Sequence, residues 1–485
     1  MNFFDRLIQP IAPKWALRRA KARAELSRVQ AAYETAERTR TRKIKKSEGG
    51  PDKSVEQAGK TIREQARHFD ENHDLVNGVL TCLVNNVIGP NGISVEPQPK
   101  TRDGEIHADF AARIDRLYRE WSQRPEVTWE HDRAAMERME AHVWFRDGEY
   151  FLQQLPGNVA TLEHGTRVPF SVELLEADMV PMDLFDDVNG IFQGIEKNNW
   201  GRPRAYHVYF NHPGSPFRFD RRLKRVPADR MLHPKHVKRF RQTRGVSVLA
   251  SVMARLHDLK DYEESERVAA RIAAAMGFYI KKGTPDLYES SDQNDDDERE
   301  FPIEPGMVWD NLRVGEDVGT FEANRPSQML PDFRNAMLKA VSSGTGTNFS
   351  TVSREYNGSF SAQRQELVER FVDYSALTAT FVGQSARPNY ERFLQAATAA
   401  GVLRRPRDLD PQSLFDAEFR GPVMPWVDPV KEAKAAESMV QAGFKSRSQV
   451  IRERGGNPRD VDAEIRRERE GSPDFTTTPK PDGSF

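Results

Sequence analysis

Histidines come closest together at His233-Pro234-Lys235-His236. Two neighbouring imidazoles can begin a metal site, but a third ligand is needed. The lysines and arginines around the pair would also repel a cation, so it reads as ordinary polar side chains. Asp292-Gln293-Asn294-Asp295-Asp296-Asp297-Glu298 has the oxygen density of a calcium loop. It lacks glycine at the sixth position, and Ile303 stands at the twelfth, where a bidentate glutamate belongs. These are better read as solvated loop acids. Gly344-Thr345-Gly346 lacks the third glycine and the lysine of a phosphate cradle, so it reads as a flexible loop. There is no H-E-x-x-H and no G-x-S-x-G. Cys82 is the single cysteine, which rules out an internal disulfide and thiolate metal cages. It lies in the apolar run Val79-Leu80-Thr81-Cys82-Leu83-Val84 and reads as a buried, inert thiol. No catalytic constellation survives, so neither an enzyme nor a cofactor is expected.

Charge carries more information. Among 485 residues, 30% are charged, yet the formal net charge is −1. The charges are segregated. Residues 1–46 hold 13 Lys/Arg against 4 Asp/Glu, and residues 221–244 hold 10 against 1. Residues 286–304 reverse this, with 9 acids and one arginine. Such blocks mark surfaces that sort partners by charge. The 221–244 block has two readings, a phosphate-binding surface or a solvated, subunit-facing one. No base-reading motif accompanies it, so sequence-specific binding is not expected. No apolar run approaches the roughly 18 residues of a membrane span. The start, Met1-Asn2-Phe3-Phe4-Asp5, lacks the basic opening and apolar centre of a signal peptide. A soluble chain in a reducing cytoplasm is expected.

The patterning predicts an α+β chain without internal repeats. Residues 15–46 read as a polar helical arm. Ser54 and Gln57 form a capping box opening a helix to about Val87. Gly89-Pro90-Asn91-Gly92 turns the chain before helices near 106–121 and 132–146. Strand-like runs follow at Tyr150–Leu155, Phe170–Leu175, Ile191–Ile195 and Ala205–Phe210, separated by turn residues as in an antiparallel sheet. Helical period returns at 246–275, late in which small alanines permit close backbone approach. Residues 276–326 are irregular and hold the acidic run. A helix near 328–341 leads to a Gly/Ser/Thr-rich loop at 342–360. Leu367, Val368, Phe371, Val372, Leu377, Phe381 and Val382 mark the strongest helix, 361–401, with a kink or break predicted from Gly383 and Pro388. Short helices near 429–442, 446–454 and 460–469 precede a disordered end.

Several stretches, in this order, resemble the lambda family of phage portal proteins. They are Pro13-Lys14-Trp15-Ala16-Leu17-Arg18-Arg19-Ala20 with Tyr33-Glu34-Thr35-Ala36, then Asn72-His73-Asp74-Leu75-Val76-Asn77-Gly78 leading to Val84-Asn85-Asn86-Val87-Ile88-Gly89-Pro90-Asn91-Gly92-Ile93. Ser353-Arg354-Glu355-Tyr356 with Phe360-Ser361-Ala362-Gln363-Arg364, and Pro425-Trp426-Val427-Asp428-Pro429-Val430, complete the set. One departure is Ser342-Ser343-Gly344-Thr345-Gly346-Thr347, where the family usually has an aliphatic glycine-proline approach.

The resemblance implies a multi-part portal fold of wing, helical stem, clip and crown, assembled as a ring of about twelve copies. On this chain it implies an N-terminal arm at 1–53, a wing at 54–240, a stem helix at 241–275 and a clip at 276–326. A second stem helix at 327–342, a channel loop at 343–360, the long kinked wing helix at 361–401, a crown at 402–470 and a disordered tail at 471–485 follow. The ring would sit at one capsid vertex of the virion, be assembled in the bacterial host cytoplasm, and conduct double-stranded DNA without sequence specificity during packaging and ejection. Expected partners are the terminase large subunit, head-tail connector proteins, and the major capsid and scaffold proteins. Arg354 and Arg364 would then be the sparse positive contacts in the channel, with Ser353 and Thr347 keeping its loop soft. A competing reading pairs Arg364 with Glu366 or a neighbouring subunit. Asp292, Asp295, Asp296, Asp297 and Glu298 would face the motor or the connectors. The rival classes are a nucleic-acid-processing enzyme and a connector ring or other structural virion protein.

Overall fold

The computed structural model describes residues 49–216, 222–275, 279–282, 316–319, 329–424 and 428–471. The arm through residue 48, the acidic run 292–298, Pro425–Val427 and the tail from residue 472 lie outside these residues. The chain divides into two compact units, Met1–Ser54 and Val55–Phe485. The second is described below.

The expected single helix from Ser54 to Val87 is two helices, α1 (Lys53–Asn72) and α2 (Asp74–Val87). Ser54 lies inside the first turn of α1, not at its cap. The break is His73, whose backbone is extended (φ −132°, ψ 109°). Its buried ring reaches the Leu256 carbonyl at 3.3 Å, a contact far along the chain that local pattern cannot show. The α2 helix buries a broad apolar face through Leu75, Val76, Val79, Leu80, Leu83 and Val87, and leaves Asp74, Asn77, Thr81 and Asn85 exposed on the other. An apolar face this wide packs against several neighbouring elements at once.

Helices α3 (Ala108–Trp121) and α4 (Arg133–Asp147) match the expected 106–121 and 132–146. Asp132 caps α4 by accepting from the Ala135 amide at 2.7 Å. Next come β2 (Phe151–Pro156) and β3 (Phe170–Leu175), then β4 (Ile191–Phe192), β5 (Ile195–Lys197), β6 (Pro203–Tyr209), β7 (Leu223–Pro227) and β8 (Met231–Leu232). They form an antiparallel three-stranded sheet β3-β2-β8 and an antiparallel meander β4-β5-β6-β7. The run 191–195 is therefore a hairpin, not one strand. Gln193 and Gly194 both have positive φ (53° and 77°), as a two-residue hairpin turn requires. One ribbon was not foreseen: β1 (Ser94–Pro97) pairs antiparallel with β11 (Ala417–Arg420).

An aromatic cluster ties these layers together. Trp121 of α3 stacks on Phe170 of β3 at 5.4 Å and donates its ring N–H to the Phe170 carbonyl at 2.9 Å. Tyr118 meets Tyr390 and Phe393 edge-on at 5.3 and 5.2 Å. Those two residues belong to the second half of the long helix, which runs as α8 (Phe360–Phe381), a π-helical turn (Val382–Ala386) and α9 (Arg387–Ala399). The π turn supplies the interruption expected from Gly383 and Pro388.

Two buried carboxylates of opposite character sit under this frame. Glu149 is 1% exposed. It receives Arg244 Nε at 2.7 Å, the Gly245 amide at 2.7 Å and His233 Nε2 at 2.9 Å, with Arg63 at 3.7 Å. Burial alone would raise its pKa. The Arg244 charge and the His233 hydrogen bond outweigh burial and hold the carboxyl well below the usual range. His233 is lowered to about 4, by burial first, so it stays neutral and donates to the carboxylate. It stacks on Phe151 at 4.3 Å, while His236 turns to the Val246 carbonyl at 3.2 Å, so the two histidines serve separate structural roles.

Glu140 is the opposite case. It accepts only from neutral donors, Tyr150 Oη at 2.7 Å and Ser385 Oγ at 2.8 Å, and its Oε1 has no hydrogen-bond partner. Burial, with the charge of Glu137 adding to it, pushes the carboxyl up to about 8 despite those two donors and Arg133. In the unfolded chain the same group ionises near pH 4.5. The folded state therefore binds more protons in between, and stability should fall as pH rises from about 4.5 to 8, then level off. Glu140→Gln should remove this dependence. In thermal melts it should match the parent near pH 4 and be more stable, by on the order of a few kcal/mol, near pH 8.

Candidate functional site

After the buried knot at Arg244 and Gly245, a short 3-10 turn (Val248–Ser251) leads into α5 (Met253–Ala275). The returning partner is α6 (Leu330–Thr345). The two pack antiparallel: Phe333 near the start of α6 meets Tyr262 at 4.8 Å, and Arg334 pairs with Glu263 at 2.9 Å. At the other end, a Cβ on Gly344 would stand 2.5 Å from Val252 Cγ1. Leu256 and Leu259 on one helix, and Leu338 and Val341 on the other, close the seam and are fully buried. Between the helices, the described part of residues 276–329 is one antiparallel pair, β9 (Tyr279–Lys282) with β10 (Glu316–Gly319).

The Ser/Thr/Gly stretch expected to be a loop is largely helical. α6 runs through Ser342, Ser343, Gly344 and Thr345, and its left-handed cap is Gly346 at φ 73°. Thr345 Oγ1 bonds back to the Val341 carbonyl at 2.9 Å, which keeps its hydroxyl satisfied without leaving the helix. A short helix α7 (Phe349–Ser353) follows. The segment is pinned from several sides. Asn348 Oδ1 accepts from Tyr374 Oη at 3.1 Å, which in turn lies 3.5 Å from Cys82 Sγ. Glu366 binds the Ser350 hydroxyl and amide, and Glu355 accepts from Asn335 at 3.2 Å.

The four residues assigned to a channel separate accordingly. Thr347 is 0% exposed, and its hydroxyl lies 3.0 Å from that of Thr345. It helps build the bend and presents nothing outside the protomer. Ser353 is half-buried and bonds back to the Phe349 carbonyl at 2.8 Å. Arg354 is exposed at the end of α7, with its backbone in the left-handed region at φ 60°. Glu355 turns back to α6, and Tyr356 is 57% exposed. Arg364 is exposed and lies 3.7 Å from Glu432 of α10 (Pro429–Gln441), not beside Glu366. Arg354 and Tyr356 are thus carried on a short turn between two anchored helices. Asp292, Asp295, Asp296, Asp297 and Glu298 lie outside the described residues.

Cys82 is 5% exposed, and burial raises its thiol pKa, consistent with an unreactive side chain. One cluster with metal-ligand chemistry occurs among the described residues: Glu176, Asp178 and His212. Arg67 lies 3.5 Å from Glu176 and 2.5 Å from Asp178, so a cation already engages both carboxylates and the group reads as an ion-pair cluster. A hollow of about 1090 Å³ borders the π turn, β11 and α11 (Arg447–Glu453). The charges lining it are paired: Arg452 meets Glu418 at 3.2 Å and Arg420 meets Glu96 at 3.1 Å. His164 Nδ1 lies 2.9 Å from Ser171 Oγ, but Ser171 is 0% exposed and the other ring nitrogen is held at 2.7 Å by the Gly157 carbonyl, so the pair serves packing and faces no substrate space.

The family model described as phage portal protein, lambda family, matches residues 37–377. The chain belongs to the lambda family of phage portal proteins. A "Probable portal protein" of Halomonas phage phiHAP-1 is 25% identical over 426 residues, covering 85% of this chain and 80% of that one. Among solved structures, "Virion of native gene transfer agent (GTA) particle" aligns at 13% identity and TM-score 0.46, covering 83% of this chain and 94% of that one. "Neck of native GTA particle computed with C12 symmetry" aligns at 12% identity and TM-score 0.45, with the same coverage.

The anchoring at Tyr374 can be tested directly. Tyr374→Phe removes the bond to Asn348 and should cost about 1 kcal/mol. It should also speed labelling of Cys82 by a thiol reagent in the folded protein, read as a rate ratio against the parent.

Proposed function

We propose that this chain is the subunit of a portal ring: about twelve copies surround a passage for double-stranded DNA at one capsid vertex of the virion. The single observation that carries this reading is the antiparallel pair α5/α6, interrupted at its far end by residues 276–329 and followed by a pinned turn that exposes Arg354. In this reading α5 and α6 are the stem, 276–326 the clip, 54–240 with α8 and α9 the wing, and 402–470 the crown. The clip would face the terminase large subunit during packaging and the head-tail connectors afterwards. The wing and crown would face the major capsid and scaffold proteins. Assembly would take place in the host cytoplasm, and the subunit itself would catalyse nothing.

The protomer holds some of its elements by ion pairs and not by a core of their own, as a ring subunit can. Helices α10 and α11 contain no buried residue. Helices of 13 and 7 residues are marginal alone in water. Val430 of α10 and Phe444 in the turn between the two are 65% and 82% exposed, and Val372 of α8 is 66% exposed. Apolar surface of this kind is normally covered by another chain.

Ring symmetry sets the electrostatics. Any channel-facing cation is repeated about twelvefold, and each neutralised phosphate adds about 0.9 to the salt-dependence of DNA binding. A conducting channel therefore needs few cations. Residues 253–275 fit this, with five acids against four Lys/Arg. Arg354 would be one of the sparse contacts. Arg364, engaged with Glu432, would hold the crown to the long helix and reach DNA less directly.

Electron microscopy of the purified protein should show an annulus with a hole wide enough for a duplex; a compact monomer under all conditions, including in assembled particles, removes the reading. Arg354→Glu should assemble normally yet change the length or retention of packaged DNA. Unchanged packaging removes Arg354 from the mechanism.

A further inference from the structure

Two exposed apolar features of the sheet region have opposite charge surroundings. The first is the loop 237–241, five consecutive exposed residues. Phe240 is 99% exposed and Val237 is 40% exposed, and Lys238, Arg239 and Arg241 flank them without a single acid. The loop is well tied down. Gln242 accepts from the Lys238 amide at 3.2 Å and donates to the Arg244 carbonyl at 2.8 Å. Lys235 Nζ bonds the carbonyls of Gln242 and Thr243 at 2.8 and 2.9 Å. A large apolar side chain held rigidly in water is surface that folding has not used.

The second feature is a hollow of about 440 Å³ beside α1. Val180, Pro181, Met182, Phe185 and Tyr209 give it an apolar lining, and Glu56, Asp178 and Asp183 stand in its wall. The segment 176–187 that forms much of it carries five acids and no base; Arg67 engages Glu176 and Asp178, which leaves Asp183 and, from α1, Glu56 as the carboxylates of the wall open to a partner. Of its two cations, Arg63 is engaged by Asp178 at 3.6 Å and Glu149 at 3.7 Å. A cavity of roughly 150 Å³ already admits a benzene ring, so a phenyl group has room here.

We infer that Phe240 of one copy seats in the acid-walled hollow of the next copy, with Lys238 and Arg241 meeting Asp183 and Glu56. A contact between two unlike surfaces is the kind that repeats head to tail and closes a ring. Complementary charge steers the encounter, and the buried ring supplies the apolar contact. This inference rests on the ring reading above and specifies one contact within it.

The test is a charge exchange. Phe240→Ala, Arg241→Glu, Asp183→Arg and the double variant Arg241→Glu/Asp183→Arg are compared with the parent by analytical ultracentrifugation over a concentration series at low salt. Circular-dichroism melts confirm that each variant folds, as substitutions at such exposed positions should allow. Each single variant should raise the concentration needed for half-assembly by about tenfold or more, and the double variant should recover most of that loss. Single variants that assemble like the parent overturn the contact. If they also lose retention on duplex DNA at low salt, the loop belongs to phosphates. A parent that never assembles overturns the ring reading itself, a result distinct from the other two.

Discussion

A carboxylate with 1% exposure cannot stay ionised unless its surroundings replace water, and the frame of this protein is built around meeting that demand at Glu149. Arg244 meets Glu149 at 2.7 Å and also donates to the carbonyls of Ala177, Val180 and Gln193 at 2.9, 3.0 and 3.1 Å. One guanidinium therefore satisfies a strand start, a loop and a hairpin turn at once. Removing either charge of such a pair leaves the other stranded, at a cost of about 3–5 kcal/mol. Beside it, the backbones of Gly148 and Gly245 approach so closely that a Cβ on Gly245 would lie 2.0 Å from the Gly148 carbonyl oxygen. Residues 244–252 lead straight into α5, so the direction of the helical pair is set by this junction.

The segment following the pair combines rigidity with exposure. Asn348, Tyr374 and Cys82 hold it to α2 and α8, while Glu366 and Glu355 tie it at either side. What remains outside is a short turn bearing Arg354 and Tyr356. In the proposed ring, a pinned turn repeated around the axis would give a constriction of defined width, because little slack is available to each copy. A sparse cation there would touch a passing phosphate without retaining it, in contrast to the dense basic lining of a DNA-binding groove.

The protomer is well packed at its centre and poorly covered at its edges. Aromatic stacking joins α3, β3 and α9, and Glu96 is gripped by Arg452 at 3.0 Å through both oxygens, fastening α11 to the β1–β11 ribbon. Yet α10 and α11 hold no fully buried residue, and Phe240 is 99% exposed. A subunit with a stable centre and unfinished edges is suited to completing its packing in an assembly.

Local pattern was enough to place most of the regular elements and to recognise the family. The 3.6-residue pattern located α3, α4 and the long helix to within a few residues and α5 at its far end, where a 3-10 turn at Val248–Ser251 replaces its expected start; alternation located β2, β3 and β6, and Gly383 with Pro388 marked the π turn. These are signals between near neighbours in the chain, where local sterics and amphipathicity decide. Tertiary structure alone decided the rest. The His73 break depends on the Leu256 carbonyl, the β1–β11 ribbon on residues more than 300 positions apart, and the helical ending of α6 on the fit of Gly344 against Val252. The same holds for Thr347, polar by type yet buried, and for Arg364, whose partner is Glu432 of a later helix. Polar side chains choose partners by three-dimensional proximity, and a one-dimensional pattern records only which residue types are available to be chosen.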